Sequence, residues 1–232
     1  MESKKGRGAI YIVWGNHSDA VLERSKKSLK LSHPELPIEV VRIDAKNNSI
    51  TGLRSKSRMM SLSPFAETLF LDADTVVLSR LDFGFDKVAR FGLACCISAC
   101  PWARRYHKAI KGDVVEYNTG VVFFTEKAKP VFDAWERLAQ TVDASMVHYV
   151  NGQLGEMKFN DQCSFAMAIE ETGYLPFMLP INWNFHAPYI RDFFGPIRIW
   201  HGYADPPKVI YDQAAYYDKP GSVIQQHWTD DR

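Results

Sequence analysis

Residues 68–78 read Thr-Leu-Phe-Leu-Asp-Ala-Asp-Thr-Val-Val-Leu, an apolar run, then Asp72-Ala73-Asp74, then a second apolar run. A short continuous apolar run predicts a strand buried on both faces, which leaves the two acids at its carboxyl end. Open α/β sheets gather ligand chemistry at that end of their strands. Two carboxylates one residue apart repel each other unless a cation or hydrogen-bond donors stand between them. A hard divalent ion, Mg²⁺ or Mn²⁺, suits them, because it takes oxygen ligands, keeps several waters and is readily shared with substrate phosphates. Alone, Asp-x-Asp is a weak pattern, since a turn after a strand produces it too.

Working upstream, residues 9–14 form a continuous apolar run that predicts a first strand, closed by the polar loop Gly15-Asn16-His17-Ser18. Ser18 or Asp19 is suited to cap a helix reaching about residue 31. Pro34 and Pro37 then break the chain before a second strand at 38–43 ending at Asp44, which completes a β-α-β unit. Residues 55–61 read as a short helix leading into the Asp-x-Asp strand.

Downstream, residues 120–124 predict another buried strand. Val131, Phe132, Trp135, Leu138, Ala139 and Val142 recur at helical spacing, the stripe of an amphipathic helix facing the core. Asn160-Asp161-Gln162 opens a helix through Glu171, with Gly173 in the usual stop position. Beyond it the chain is rich in Pro and aromatics, with short strand candidates at 177–179 and 197–200. No repeat and no linker divides the chain. The expectation is an α/β fold: one Rossmann-like domain over residues 1–232, with a mixed central sheet flanked by helices, a flexible tail at 1–7 and a frayed end at 222–232.

Composition narrows the function classes. At 232 residues, with 46% hydrophobic and 24% charged, the chain can bury most of its apolar surface in one core. Lys plus Arg number 28 against 27 for Asp plus Glu, a net charge of +1 that provides no broad field for polyanions, so nucleic acid is neither supported nor excluded as a partner. Basic residues cluster at 4–7, read as a solvated tail, at 24–30, read as a solvated helix face, and at 54–58, just ahead of the Asp-x-Asp strand. The apolar run after residue 7 is about six residues, too short for a signal-peptide core, and no apolar stretch is long enough to span a membrane. A soluble cytoplasmic protein is expected. Cys95, Cys96, Cys100 and Cys163 match neither zinc spacing nor a disulfide framework and read as buried thiols.

Several stretches, in order, carry a resemblance. Leu71-Asp72-Ala73-Asp74-Thr75 between its apolar runs resembles the D-x-D element of the nucleotide-diphospho-sugar glycosyltransferases with the A-type fold. Tyr117-Asn118-Thr119-Gly120-Val121-Val122 is similar to the Asn-x-Gly strand of their retaining, glycogenin-like members, and Asn160-Asp161-Gln162 resembles the Asp-Gln pair of that group. Leu179-Pro180 followed by Trp183-Asn184 is similar to its Leu-Pro…Asn stretch. Trp200-His201-Gly202-Tyr203 with Pro206-Pro207-Lys208 resembles its late His-x-x-Gly…Lys-Pro segment, with the glycine spacing and the Lys-Pro order changed.

The resemblance implies a role for each matching residue. Asp72, Asp74 and His201 would hold Mn²⁺ or Mg²⁺; Asp72, Ala73 and Lys208 would meet a diphosphate; Gly15 and Asn16 would meet a nucleoside. Asn118, Asp161 and Gln162 would surround the donor sugar, with Asp161 as ligand and ring stabiliser. Lys56 or Arg58 would supply a cation to the donor; spaced by two, they cannot share one helical face. The implied activity is transfer of a hexosyl or pentosyl group from a UDP-sugar to an unidentified saccharide, protein or other hydroxyl compound, with retention of configuration. The C-terminal segment through His201 and Lys208 is expected to close over the donor. Acceptor candidates are the stretches 95–111 and 183–196, with Trp102, Tyr106, Phe185, Tyr189, Phe193 and Phe194.

Rival readings meet specific obstacles. Asp72-Ala73-Asp74-Thr75-Val76 also fits the nucleophile motif of haloacid-dehalogenase-like phosphatases, but that family places it after the first strand and needs a later acidic pair. Sugar-1-phosphate nucleotidyltransferases call for a glycine-rich loop where this chain has Gly15-Asn16-His17-Ser18. A non-catalytic nucleotide-sugar-binding module shares every sequence feature of an enzyme.

Overall fold

Alternation along the first strand shows why it had to be apolar throughout. In β1 (Arg7–Trp14), Ile10 and Ile12 enter one core cluster while Ala9, Tyr11 and Val13 enter another, so both faces are covered. The computed structural model of the chain describes residues 4, 6–15, 19–45, 48–99, 114–150, 152–190, 192–216 and 225–227. After β1 come α1 (Asp19–Ser32), β2 (Ile38–Ile43), α2 (Ser49–Ser55), a 3-10 turn (Lys56–Arg58), α3 (Met59–Leu62), β3 (Glu67–Leu71) and β4 (Thr75–Val77). Then follow α4 (Asp82–Phe91), β5 (Leu93–Ile97), β6 (Tyr117–Thr125), α5 (Lys129–Thr141), β7 (Met146–Val150), β8 (Gln153–Met157) and α6 (Asp161–Thr172). The chain continues through β9 (Phe177–Met178), β10 (Phe185–His186), β11 (Asp192–Phe194), β12 (Ile199–His201), α7 (Lys208–Tyr216) and β13 (Gln225–His227).

The central sheet has the order β2-β1-β3-β6-β5-β9 and is mixed, with β1 parallel to β2 and β3, and β6 antiparallel to β3 and β5. Residues from α3, α5 and α6 cover one face and residues from α1 and α4 the other. The stripe on α5 is core as its spacing predicts, with Trp135 fully buried against Phe165 at 4.6 Å between ring centroids. A smaller sheet, β10-β12-β4, sits over its own cluster of Val76, Phe185, Ile190, Ile197, Trp200 and Ile210. The described part of the Pro- and aromatic-rich stretch thus forms a layer of its own.

Several boundaries differ from the sequence reading, each for a local reason. The helix expected at 55–61 is split, because α2 starts earlier, where the Asn48 side chain accepts from the Ile50 and Thr51 amides, and passes into a 3-10 turn at Lys56. The helix α4 was hidden by Gly84, a poor helix former that close packing demands: a Cβ there would lie 2.4 Å from the Phe123 ring. A further helix, α7, lies beyond Gly173. The β1 ladder begins at Arg7, inside the expected tail, and Gln225–His227 pairs with Asp192–Phe194 inside the expected frayed end. Within the basic stretch 24–30, Ser25, Ser28 and Leu29 are buried and Arg24 contacts the C-terminal segment, so that helix face is not merely solvated. Cys95, Cys96 and Cys163 are buried thiols; Cys100 lies outside the described residues. Among the described residues, no helix is long and apolar enough to cross a membrane.

Candidate active site

The strand β3 carries Asp72 to the sheet's carboxyl edge, where the Asp72 amide donates to Gly120 O on β6 at 2.8 Å. A tight turn follows: the Thr75 hydroxyl donates to Asp72 O at 2.8 Å, which brings the Asp72 and Asp74 side chains to one side. The turn leads into β4, and β4 pairs antiparallel with β12 so that His201 stands opposite Thr75. Pairing across 126 residues of sequence thus places His201 Nε2 3.3 Å from Asp74 Oδ1 and 3.8 Å from Asp72 Oδ2. One ligand atom from each of the three residues lies within 4.8 Å of the others.

A chain of hydrogen bonds decides which nitrogen of His201 bears the proton. The Gly120 amide can only donate, so its partner at 2.8 Å on Asn118 is the oxygen Oδ1. That oxygen accepts from Asn184 Nδ2 at 2.8 Å, which turns Asn184 Oδ1 toward His201 Nδ1, also at 2.8 Å. His201 therefore donates through Nδ1 and presents the Nε2 lone pair to the aspartates, the arrangement a metal ligand requires. Gly120 is small for the same reason: a Cβ there would meet His201 Cε1 at 2.3 Å and Asp72 Oδ2 at 2.9 Å. A second histidine, His186, stacks on His201 at 4.7 Å.

Charge completes the case that these residues fit a dication. Lys56 Nζ lies 3.0 Å from Asp72 Oδ1 and 3.0 Å from Asp161 Oδ2, and donates to Thr119 Oγ1 at 3.2 Å. Thr119 in turn donates to Asp161 Oδ2 at 2.6 Å. One lysine among three carboxylates leaves two negative charges with His201 neutral. Burial raises the Asp72 carboxyl above the usual carboxylate range, against the pull of Lys56 and His201. Burial pushes Asp74 the same way, but His201 in its protonated form, with Nε2 then donating to Asp74 and carrying charge, holds it below that range. Burial lowers His201, yet Asp74 and Asp72 outweigh it and raise its pKa. For His186, burial first and His201 second bring the imidazole down to about 4.

These groups line a cavity of about 650 Å³ that also holds Trp14, Gly15, Ala73, Asn118, Asp161 and Gln162. Gly15 takes a left-handed φ of 65°, the conformation in which glycine turns a chain at no steric cost. Gln162 Nε2 donates to the buried Glu116 at 2.8 Å, so its amide oxygen points away from that carboxylate.

Of the two cations expected near the donor, the structure brings in Lys56 and turns Arg58 away. Arg58 is half exposed and lies 3.8 Å from Glu136, because two residues in a tight helical turn face nearly opposite sides. Lys208 likewise stands off from the cavity: it opens α7 on the surface, paired with Asp212 at 2.6 Å. Asn16, Trp102 and Tyr106 lie outside the described residues. Thr119, His186, Glu116 and Arg24 were missed in the sequence. Thr119 had a signal, since it is the middle residue of the Asn-x-Gly run; the other three become visible only through their partners.

No protein-family model and no curated protein matches the sequence; the likeness is to solved structures. Mouse xyloside xylosyltransferase 1, in its apo form, superposes with a TM-score of 0.54 at 15% identity over 86% of this chain and 98% of that one. The galactosyltransferase LgtC, in complex with donor and acceptor sugar analogs, gives 0.54 at 12% identity over 91% of this chain and 94% of that one. The glycosyltransferase GlyE of Streptococcus pneumoniae gives 0.50 at 15% identity, with this chain spanning 55% of its length. The layer order, the mixed sheet and these superpositions agree: the chain has the A-type fold of nucleotide-sugar transferases.

Proposed function

We propose that this protein is a metal-dependent glycosyltransferase that moves a sugar from a UDP-sugar to an acceptor hydroxyl with retention of configuration. The observation that carries the reading is the doubly negative cluster of Asp72, Asp74 and Asp161 around Lys56, with the His201 lone pair aimed into it at the edge of the cavity. In the reaction the bond from the anomeric carbon to the diphosphate would break, its electrons would leave with UDP, and the acceptor oxygen would bond to the same face as its proton passes to the departing diphosphate. A bound Mn²⁺ or Mg²⁺ would neutralise the leaving diphosphate as a Lewis acid.

The chain's own groups would do the rest. Asp161, held in place by Lys56 and Thr119, would face the sugar that becomes cationic in the transition state, where a fixed carboxylate is worth most. Gln162, anchored by Glu116, and Asn118, anchored by the Gly120 amide, would orient the sugar hydroxyls. Gly15, Asn16 and Ala73 are the proposed nucleotide contacts. Lys208 would reach a diphosphate only by exchanging Asp212 for it. The retaining outcome and the UDP base rest on the resemblance of the Asn118, Asp161 and His201 segments to the glycogenin-like group.

The deciding experiment is titration calorimetry of UDP and UDP-sugars with Mn²⁺ and with EDTA, followed by proton NMR of the anomeric centre in the product. Binding only with Mn²⁺, and a product of unchanged anomeric configuration, are expected. Equal binding in EDTA would remove the metal bridge, and an inverted product would remove retention.

A further inference from the structure

Arg24 projects from α1 toward the segment that follows His201. Its two terminal nitrogens distribute four N–H groups over four oxygens. Nη1 donates to Tyr203 O at 2.6 Å and to Asp205 Oδ1 at 3.0 Å; Nη2 donates to Gly202 O at 2.7 Å and to Asp74 O at 3.4 Å. The acceptors belong to the turn carrying Asp74 and to the chain leaving His201. Nε stays buried without a hydrogen-bond partner among the described residues, so the guanidinium is committed to those four oxygens.

The contact is made where the backbone ladder stops. The last β4–β12 pair is His201 with Thr75, and beyond it the described residues show a single backbone bond between the two segments, from the Gly202 amide to Asp74 O at 2.9 Å. Gly202 and Tyr203 would otherwise offer carbonyls to solvent right behind a metal ligand. Below, buried Ser25 joins Tyr11 at 2.9 Å and Thr75 at 2.9 Å, and the Ser28 hydroxyl receives the Val77 amide at 2.9 Å. The polar side of α1 is thus a rail against which both ligand-bearing segments are set, and Arg24 is the part that touches both.

We infer that Arg24 is a positioning residue that locks the chain after His201 to the Asp-x-Asp turn and so sets the spacing of the three candidate metal ligands. The inference rests on the proposed metal site. A planar fork suits it because one rigid group can bind carbonyls from two segments, whereas an ammonium is a single point. Groups that orient metal ligands without touching the ion typically change affinity by about 10- to 100-fold when removed.

The test uses the full chain and Mn²⁺ alone, with free Mn²⁺ read from its paramagnetic resonance signal. Arg24→Met, which keeps the aliphatic stem, should weaken Mn²⁺ binding about 10-fold and speed hydrogen exchange at Gly202. His201→Ala should weaken Mn²⁺ binding on its own. Because Arg24 acts through His201, adding Arg24→Met to His201→Ala should change Mn²⁺ affinity by no more than about 2-fold. Unchanged affinity in Arg24→Met, or losses that multiply in the double variant, would overturn the inference while leaving the metal site intact. An unchanged affinity in His201→Ala would instead overturn the site itself. If Arg24→Met fails to fold, Arg24→Lys carries the same comparison: a smaller loss in the otherwise native chain, absent on the His201→Ala background.

Discussion

The two sheets of this molecule are built on different principles. In the central sheet, β1, β3 and residues 121–124 of β6 alternate apolar side chains between two cores, and what holds them is dispersion and burial. In the small sheet, β4 and β12 meet across Asp72, Asp74 and His201, and the contacts are directional: Arg24 to three carbonyls, Ser25 to Thr75, Asn184 to His201. The difference teaches where stability and chemistry are separable. Damage to the first sheet should lower folding stability and spare ligand affinity in whatever remains folded; damage to the second should do the reverse.

The strongest challenge to that contrast is Trp135→Ala. Trp135 is fully buried and donates through Nε1 to Ser164 at 3.0 Å, so truncation should cost about 3–5 kcal/mol in a denaturant titration. UDP affinity of the folded fraction should be unaltered, and a parallel loss of affinity would show that the α5–α6 layer is coupled to the site.

Next in size is Asp161→Asn, which removes the charge but keeps the shape. Transfer should fall on the order of 10²-fold in steady-state kinetics, with UDP affinity within a few fold. If neither moves, Asp161 merely begins a helix, where any acid is favoured by the dipole.

Smaller again is Asn184→Leu, which deletes the acceptor that holds the His201 proton on Nδ1. Mn²⁺ affinity should drop about 10-fold by calorimetry, since the imidazole loses its fixed tautomer. Unchanged affinity would mean that burial alone orients the ring.

Least should come from Arg58→Ala and Lys208→Ala, whose exposed pairs are worth about 0–1 kcal/mol. Each should leave donor affinity within about 3-fold, whereas Lys56→Ala should exceed both. A large effect of Lys208→Ala would show that α7 swings its lysine onto the diphosphate once the donor is bound.

Legibility followed the same divide. The strand at residues 9–14 and the α5 stripe were readable because a covered strand or a core-facing helix repeats its pattern every few residues. Lys56 and Arg58 were indistinguishable, since a shift from α to 3-10 geometry at Lys56 decides which one faces inward. Arg24 passed for one of several solvated lysines and arginines because its partners lie on the far side of the chain. Glu116 and His186 carry no local pattern at all.

By itself the sequence determined the opening β-α-β unit, the helices α5 and α6, the acidic turn at the end of β3 and the residue types around it, because burial and turn chemistry act between near neighbours. Only the tertiary structure decided which cation enters the site, which nitrogen of His201 faces the aspartates and that α1 clamps the turn to the C-terminal segment. Those choices depend on hydrogen bonds closed between groups far apart in the chain, and a directional bond exists only once both partners are held in place.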